Sequence, residues 1–367
     1  MPKKVAIIGG GIFGSTIALD LAKNTEFEIT LFEREKDLLL GASSTNLLRH
    51  HYGYHYPRSE KTAKECQEAI KSFEEEYKEC ISEEFPSYYA IIKEGSKSTA
   101  KEYLNFCDKL SLPYKIEWPK EELMDRAQIE LCLKTPEPVY DPDKLRKVIK
   151  EKLKKTKIKI RYNSEIIDAK IDENTKKILK IKSENKVTEE EFDYIIGALY
   201  SNFNQLNKWF KFPKQQLRYS LFEVLEIELP INYKIGMIIV DGDFSALLPN
   251  GNKSTFRLAN AKESVIKRVI SDNLDDSIIK DLKENKSNEK EILEVATKYF
   301  PIVKKARVVK KFYIIQVVKA NVESTDERPS EITDRDKGIF SIFSGKVVNC
   351  VSLAKKLTEI LKEKNEK

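Results

Sequence analysis

Cysteine is scarce and unpaired in this sequence: five residues, at positions 66, 80, 107, 132 and 350, with no Cys-x-x-Cys among them. An odd, scattered set argues against a disulfide framework and fits reduced thiols in a cytoplasmic protein. Histidine is scarcer. All three residues, His50, His51 and His55, fall within one hexamer. With no further cluster of histidine or cysteine at ligand spacing, no metal site is expected. No apolar run reaches the ~18 residues that a membrane span needs. The opening Met1-Pro2-Lys3-Lys4 followed by apolar residues mimics a short signal peptide, but Asp20 and the glycines that follow assign that stretch to the fold. A large excess of one charge sign is also absent, because 65 Lys and Arg face 59 Asp and Glu, a net +6. Runs such as Lys150–Lys159 read as solvated surface. No aromatics interleave with those lysines as single-strand binding requires, so nucleic acid is not an expected partner. The 367 residues, 41% of them hydrophobic, are enough for a large core, most simply as two domains.

What is present begins at once. Val5-Ala6-Ile7-Ile8 is an apolar strand that runs into Gly9-Gly10-Gly11-Ile12-Phe13-Gly14, a Gly-x-Gly-x-x-Gly turn. A helical pattern follows (Ile17, Leu21 and Ala22 on one face), then a second strand, Glu28–Phe32, ending at Glu33. Strand, glycine turn, helix, strand and distal acid form one dinucleotide-binding unit. Gly9 permits the tight turn, Gly11 lets backbone approach a pyrophosphate, and Gly14 lets helix and strand pack closely. The free N–H groups of the helix start face the phosphates. Glu33 accepts hydrogen bonds from ribose hydroxyls.

Gly41-Ala42-Ser43-Ser44-Thr45-Asn46 is followed by Arg49-His50-His51-Tyr52-Gly53-Tyr54-His55-Tyr56. This stretch reads either as a surface loop or as hydroxyls and N–H groups lining a cofactor, with imidazoles and phenols beside it for proton handling. Its motifs resemble those of the FAD-dependent amino-acid-oxidase-like superfamily, which includes glycine oxidase, 2-hydroxyglutarate dehydrogenase and glycerol-3-phosphate dehydrogenase. Gly41-Ala42-Ser43-Ser44 is similar to a Gly-x-Ser-Ser segment at the flavin, and Asn46, His51, Gly53 and Tyr56 resemble an Asn then His-x-Gly-x-x-Tyr pattern. Tyr52, where a small residue is usual, and Arg49-His50, where aliphatics are usual, depart from it. Further along, Asp141-Pro142-Asp143-Lys144-Leu145 looks like the family's Asp-Pro-x-x-Leu turn, and it is equally a plain N-cap with proline at N1. Phe192–Ala198 resembles the second cofactor strand, with Gly197 and Ala198 allowing close approach. Ser344-Gly345-Lys346, between a strand and the C-terminal helix, is similar to the family's last cofactor element. There a helix start and a lysine stabilise the reduced flavin.

The rest of the chain reads as helices at 60–83, 98–110 and 289–300, strands at 87–93, 158–162 and 166–171, and a β-rich insert up to 196. Short strands lie between 218 and 258, and a strand at 306–318 is expected to return to the cofactor domain. The resemblance therefore implies an α/β fold: a Rossmann-like FAD-binding domain (1–85, 137–212 and 306–367) with a second, mainly antiparallel β substrate domain (86–136 and 213–305). The implied cofactor is non-covalent FAD, and the implied reaction is oxidation of a C–H bond next to a hydroxyl or amine of a small polar substrate, with hydride transfer to flavin N5. Candidate cofactor contacts are Gly9, Gly11, Ile12, Phe13, Gly14, Glu33, Arg34, Ser43, Ser44, Thr45, Asn46, Ala198, Ser344, Gly345 and Lys346. Candidate catalytic or substrate groups are His51 as base, Tyr56 and Arg257 as binding groups and Lys346. Two readings stand for Arg257, an anion binder or an ordinary strand residue, and two for Arg328, a carboxylate binder or a partner of Asp326. The electron acceptor is unknown. The apolar stripe of the last helix (Val351, Ala354, Leu357, Leu361) either packs on the core or touches a membrane surface. The alternatives to this enzyme are a nicotinamide-dependent dehydrogenase on the same fingerprint and a non-catalytic flavin-binding protein.

Overall fold

In the computed structural model, which describes residues 2–23, 26–184, 186–242, 244–320 and 327–366, Lys3–Ile8 is an inner strand of a six-stranded sheet. Tyr194–Gly197 and Phe27–Phe32 pair with it in parallel on its two sides. Ile339–Phe343 and Lys159–Arg161 extend the sheet outward, and Glu331–Asp334 closes one edge antiparallel. The inner strands are apolar runs buried on both faces, as a parallel sheet covered by helices demands. The helix Ile12–Leu21 is buried along its whole length. The C-terminal helix Cys350–Asn365 packs on it through Val351, Ala354, Leu357 and Leu361, so that stripe belongs to the core. Thr358 Oγ1 donates to Asp20 Oδ2 at 2.7 Å across this buried contact. A three-stranded antiparallel sheet (Ser164–Ile171, Lys177–Ser183, Lys186–Phe192) is the β-rich insert of this half.

The second half is a nine-stranded, mainly antiparallel sheet. Its longest strands are Leu217–Glu228 and Arg307–Lys319, which pair antiparallel from Leu217↔Lys319 to Glu228↔Arg307. Residues 306–318 therefore do not return to the cofactor half, as the sequence suggested. Their alternation marks a strand correctly, but a period of two does not say which sheet the strand joins. The strands Ile129–Thr135 and Val265–Ser271 also belong here. They had no clear signal, since charged residues interrupt their apolar positions.

The two halves are stitched by a crossing that sets up the site. After Ile129–Thr135 the chain runs back through Glu137-Pro138-Val139-Tyr140 into the helix Pro142–Lys154. Asp141 caps that helix, its Oδ1 accepting the N–H groups of Asp143 and Lys144 at 3.0 and 2.9 Å. This crossing lies against residues 43–52. His50 N–H donates to Pro138 O (3.1 Å), Tyr140 N–H to Leu48 O (2.8 Å), and the Tyr140 hydroxyl to Ser43 O (2.8 Å) while accepting Asn46 Nδ2 (2.7 Å). The histidine- and tyrosine-rich segment is thereby held between the two sheets.

Candidate active site

A cavity of about 1260 Å³ opens between the halves, with the glycine turn at one end and the long strands of the second sheet as its roof. Its cofactor end is built by close packing. Gly9 has φ +109°, open to glycine at no steric cost. A Cβ on Gly14 would fall 1.9 Å from the Gly9 carbonyl oxygen, and one on Gly9 would fall 2.5 Å from Ala198 O. Three backbone segments, two from the turn and one from the end of Tyr194–Gly197, therefore meet where only glycines fit. Gly11 offers no side-chain cap to the helix it starts; instead the Ile12 N–H donates to Ser43 Oγ at 3.1 Å. Glu33, at the end of Phe27–Phe32, accepts the Gly10 and Glu35 N–H groups at 2.8 and 2.9 Å and lines the cavity. Burial raises its pKa, while those two backbone donors pull it back down. Gly345 lets the C-terminal loop press on residues 328–330, since a Cβ there would lie 2.3 Å from Arg328 O. A glycine-bounded helix start with a carboxylate at the end of the next strand fits a dinucleotide.

Of the sequence-derived cofactor residues, Gly9, Gly11, Ile12, Phe13, Glu33, Arg34, Ser43, Asn46, Ala198, Ser344, Gly345 and Lys346 line this cavity. Gly14 sits behind the turn as packing. The hydroxyls of Ser44 and Thr45 turn back to the Gly41 carbonyl (3.3 and 3.4 Å), away from the cavity lining.

The other wall comes from the segment that ends in Tyr56, and its side chains alternate. Arg49, His51 and His55 line the cavity, whereas His50, Tyr52 and Tyr54 point the other way. His50 Nε2 and the Tyr52 hydroxyl meet Glu74 Oε1 at 3.1 and 3.2 Å, and the Tyr54 hydroxyl donates to Pro113 O at 2.5 Å. Gly53, at φ +117°, sits against Ala63 of the helix Glu60–Tyr77 and bends the segment there. The rings of His51, His55, Tyr56 and Phe244 form a contiguous cluster with centroids 4.8 to 6.1 Å apart. Lys346 Nζ stands 4.9 Å over the Tyr56 ring. Burial, then the Lys346 and Arg49 charges, holds the pKa of His51 well below the usual imidazole range; burial with Arg49 and Lys346 does the same for His55. Both imidazoles are neutral at pH 7, and the Nδ1 of each is buried without a hydrogen-bond partner.

Arg49 is the cation that the motif match had marked only as a departure. It lines the cavity, and its Nε and Nη1 are buried with no partner. Burial works against its charge, but Tyr89 and Glu137 outweigh it and raise its pKa further. Arg257 is a correction. It is 2% exposed and does not line the cavity. Its Nε donates to Asn250 Oδ1 at 2.8 Å, its Nη1 donates to the Asn46 carbonyl, and its guanidinium lies 4.4 Å from the Phe312 ring centroid. It braces the segment carrying Asn46 against the second sheet, and burial pulls its pKa down to about 10. Nothing in a lone strand arginine distinguishes a brace from a ligand group. Arg328 lines the cavity and its Nη1 donates to Glu327 O at 2.9 Å; its other suggested partner, Asp326, lies outside the described residues. Among the described residues no group of side chains suits a metal ion. All five cysteines are free thiols, and burial pushes each up to about 12, so none is a nucleophile at neutral pH. No described helix is long and apolar enough to cross a membrane.

The family model for FAD dependent oxidoreductases (DAO) matches residues 4–313. A FAD-dependent monooxygenase, kojA, of Aspergillus flavus is 24% identical over 408 residues, covering 98% of this chain and 86% of that protein. Among solved structures, glycine oxidase from Geobacillus kaustophilus superposes with a TM-score of 0.73 at 13% identity, over 99% of this chain and 95% of that one. The L-alpha-glycerophosphate oxidase of Mycoplasma pneumoniae with FAD bound gives 0.74 at 14% identity, over 99% and 95%. The chain thus belongs to the FAD-dependent oxidoreductase family and uses FAD as its cofactor.

Proposed function

We propose that this oxidoreductase removes hydrogen from a C–H bond next to a hydroxyl or amine of a small substrate that carries an anionic group. The observation that carries this reading is the pairing, on one cavity wall, of a half-buried arginine whose Nε and Nη1 have no hydrogen-bond partner with a neutral histidine two residues on. Bound FAD supplies the two-electron acceptor. The chain supplies the rest. Arg49 presents a planar fork that suits a carboxylate or phosphate. His51, kept neutral, accepts the proton of the hydroxyl or ammonium as the C–H bond is broken. Lys346 and the start of the C-terminal helix hold positive charge where negative charge develops. The rings of Tyr56, His55 and Phe244 exclude water from the reacting atoms.

Replacement of His51 by alanine should lower kcat for the true substrate by on the order of a hundredfold, with FAD content unchanged. The sign of the pH dependence follows from the depressed pKa. A base that works unprotonated loses activity only as pH falls through its own pKa, so the acid limb of the wild-type profile should lie well below pH 6.5. An unchanged kcat in His51→Ala removes the base assignment. The relatives named monooxygenases support a second reading, oxygen insertion with the flavin reduced by a nicotinamide. The two separate on whether substrate alone bleaches the flavin.

A further inference from the structure

Glu137 is 3% exposed and lies behind Arg49, on the chain crossing between the two halves. Its Oε2 accepts the Tyr52 N–H at 2.7 Å and its Oε1 accepts the Tyr89 hydroxyl. It lies outside the lining of the cavity. Its charge is compensated through space by Arg49, which also interacts with Tyr89. The same side chain lines the cavity, and its Nε and Nη1 have no hydrogen-bond partner. One cation thus serves a permanent carboxylate on one side and a visiting anion on the other.

Two carboxylates sharing one desolvated cation repel each other, and the usual relief is that one of them holds a proton. The visiting group makes its contact with the Arg49 fork, so the relief falls on Glu137. We propose that Glu137 is the proton partner of anion binding: when an anionic ligand docks on Arg49, Glu137 takes up one proton from solvent. The anion brings one negative charge, the proton one positive charge, and the net charge of the buried cluster does not change. The hydroxyl of Tyr89 then accepts from the protonated carboxyl instead of donating to it. The charged and titratable groups facing Glu137 are Arg49, Tyr52 and Tyr54 of its own neighbouring segment, Tyr89 of the strand Ser87–Ile92, Cys66 of the helix Glu60–Tyr77, Tyr103 of the helix Ala100–Lys109, and Lys346. Burial raises the tyrosines and the thiol and lowers His51 and His55, which removes them from titration between pH 6.5 and 9. Burial raises Glu137 itself, against the lowering by Arg49 and by the Tyr89 and Tyr52 hydrogen bonds. This inference rests on the reading of Arg49 as the anion receptor.

The test uses FAD-loaded protein and benzoate, with benzamide as the uncharged control, followed by the flavin difference spectrum and by calorimetry in two buffers of different ionisation enthalpy. In the wild type, benzoate affinity should fall with rising pH, by up to about tenfold per unit where the proton is taken up, with close to one proton bound per benzoate. In Glu137→Gln the affinity should be flat within about twofold and the proton count near zero. If Glu137→Gln does not fold, Tyr89→Phe carries the test. Loss of the hydroxyl that donates to the ionised carboxylate should move the midpoint of the benzoate profile to higher pH. Wild-type pH dependence and proton uptake in Glu137→Gln, or an unmoved midpoint in Tyr89→Phe, overturns the assignment while leaving Arg49 as receptor. Benzoate that does not bind the wild type, or binds Arg49→Met equally well, removes the receptor reading itself.

Discussion

Gly14→Ala should yield a chain that is purified without FAD and cannot be reconstituted to a full flavin complement. The added Cβ would stand 1.9 Å from the carbonyl oxygen of Gly9 and 3.3 Å from the Ala198 side chain. That oxygen belongs to the backbone of the turn itself, so nothing flexible can move aside. The turn must open or the helix Ile12–Leu21 must slide away from the strand, and either shift displaces the N–H groups that face the pyrophosphate. Overpacking of this kind costs about 3 kcal/mol, which corresponds to roughly a hundredfold in FAD affinity when it falls on the bound form. The flavin-to-protein ratio after gel filtration, and a melting temperature that no longer rises on addition of FAD, read the effect. Gly11→Ala is the informative comparison. The nearest atom to its new Cβ is Ser43 Oγ at 3.5 Å, an ordinary contact, so the FAD-free chain should melt like the wild type and lose only cofactor affinity. If Gly14→Ala retains a full flavin complement, the close-packed turn is not what positions the cofactor.

Arg49→Met should weaken anionic ligands and the anion-bearing substrate by about a hundredfold, while neutral ligands of the same shape bind as before. Methionine keeps much of the apolar stem and removes the fork. Hydrogen bonds from an ionised group contribute ~1.5–3 kcal/mol each, and Arg49 offers two donors with no competing partner. The loss should appear in KM with a smaller change in kcat, because the arginine holds the anion equally in the ground and transition states. Lysine at this position should recover part of the affinity and little of the selectivity, since a point charge does not reproduce the planar fork. Equal losses for neutral and anionic ligands would mean that Arg49 acts by packing alone.

The cofactor end was legible because its physics is local. Gly9, Gly11, Gly14 and Glu33 fall within one strand-turn-helix-strand unit, where a closely approaching backbone dictates residue type. The histidine-tyrosine segment was legible as a candidate wall of the site, but not which of its side chains would face the cavity. Arg49, His51 and His55 face the cavity, His50 and Tyr52 face Glu74 of the helix behind and Tyr54 faces Pro113, an arrangement set by the chain crossing at 138–140 and the bend at Gly53. Glu137 was beyond reach of pattern, since it meets Tyr52 only through a contact 85 positions apart in sequence. Arg257 and the strand Arg307–Lys319 erred for a related reason. Alternation fixes that a residue is in a strand, but the neighbours that give a buried arginine its partners, or a strand its sheet, come from elsewhere in the chain.

The most direct measurement is anaerobic mixing of the FAD-loaded protein with a panel of small amines and hydroxy compounds, each tested with and without a carboxylate or phosphate, while the flavin absorbance is followed. Bleaching by at least one anion-bearing member, faster than by its uncharged counterpart and lost in Arg49→Met, is the predicted result. A flavin that no member of the panel bleaches, but that a reduced nicotinamide bleaches promptly, would contradict oxidation of an anionic C–H donor and point instead to oxygen insertion.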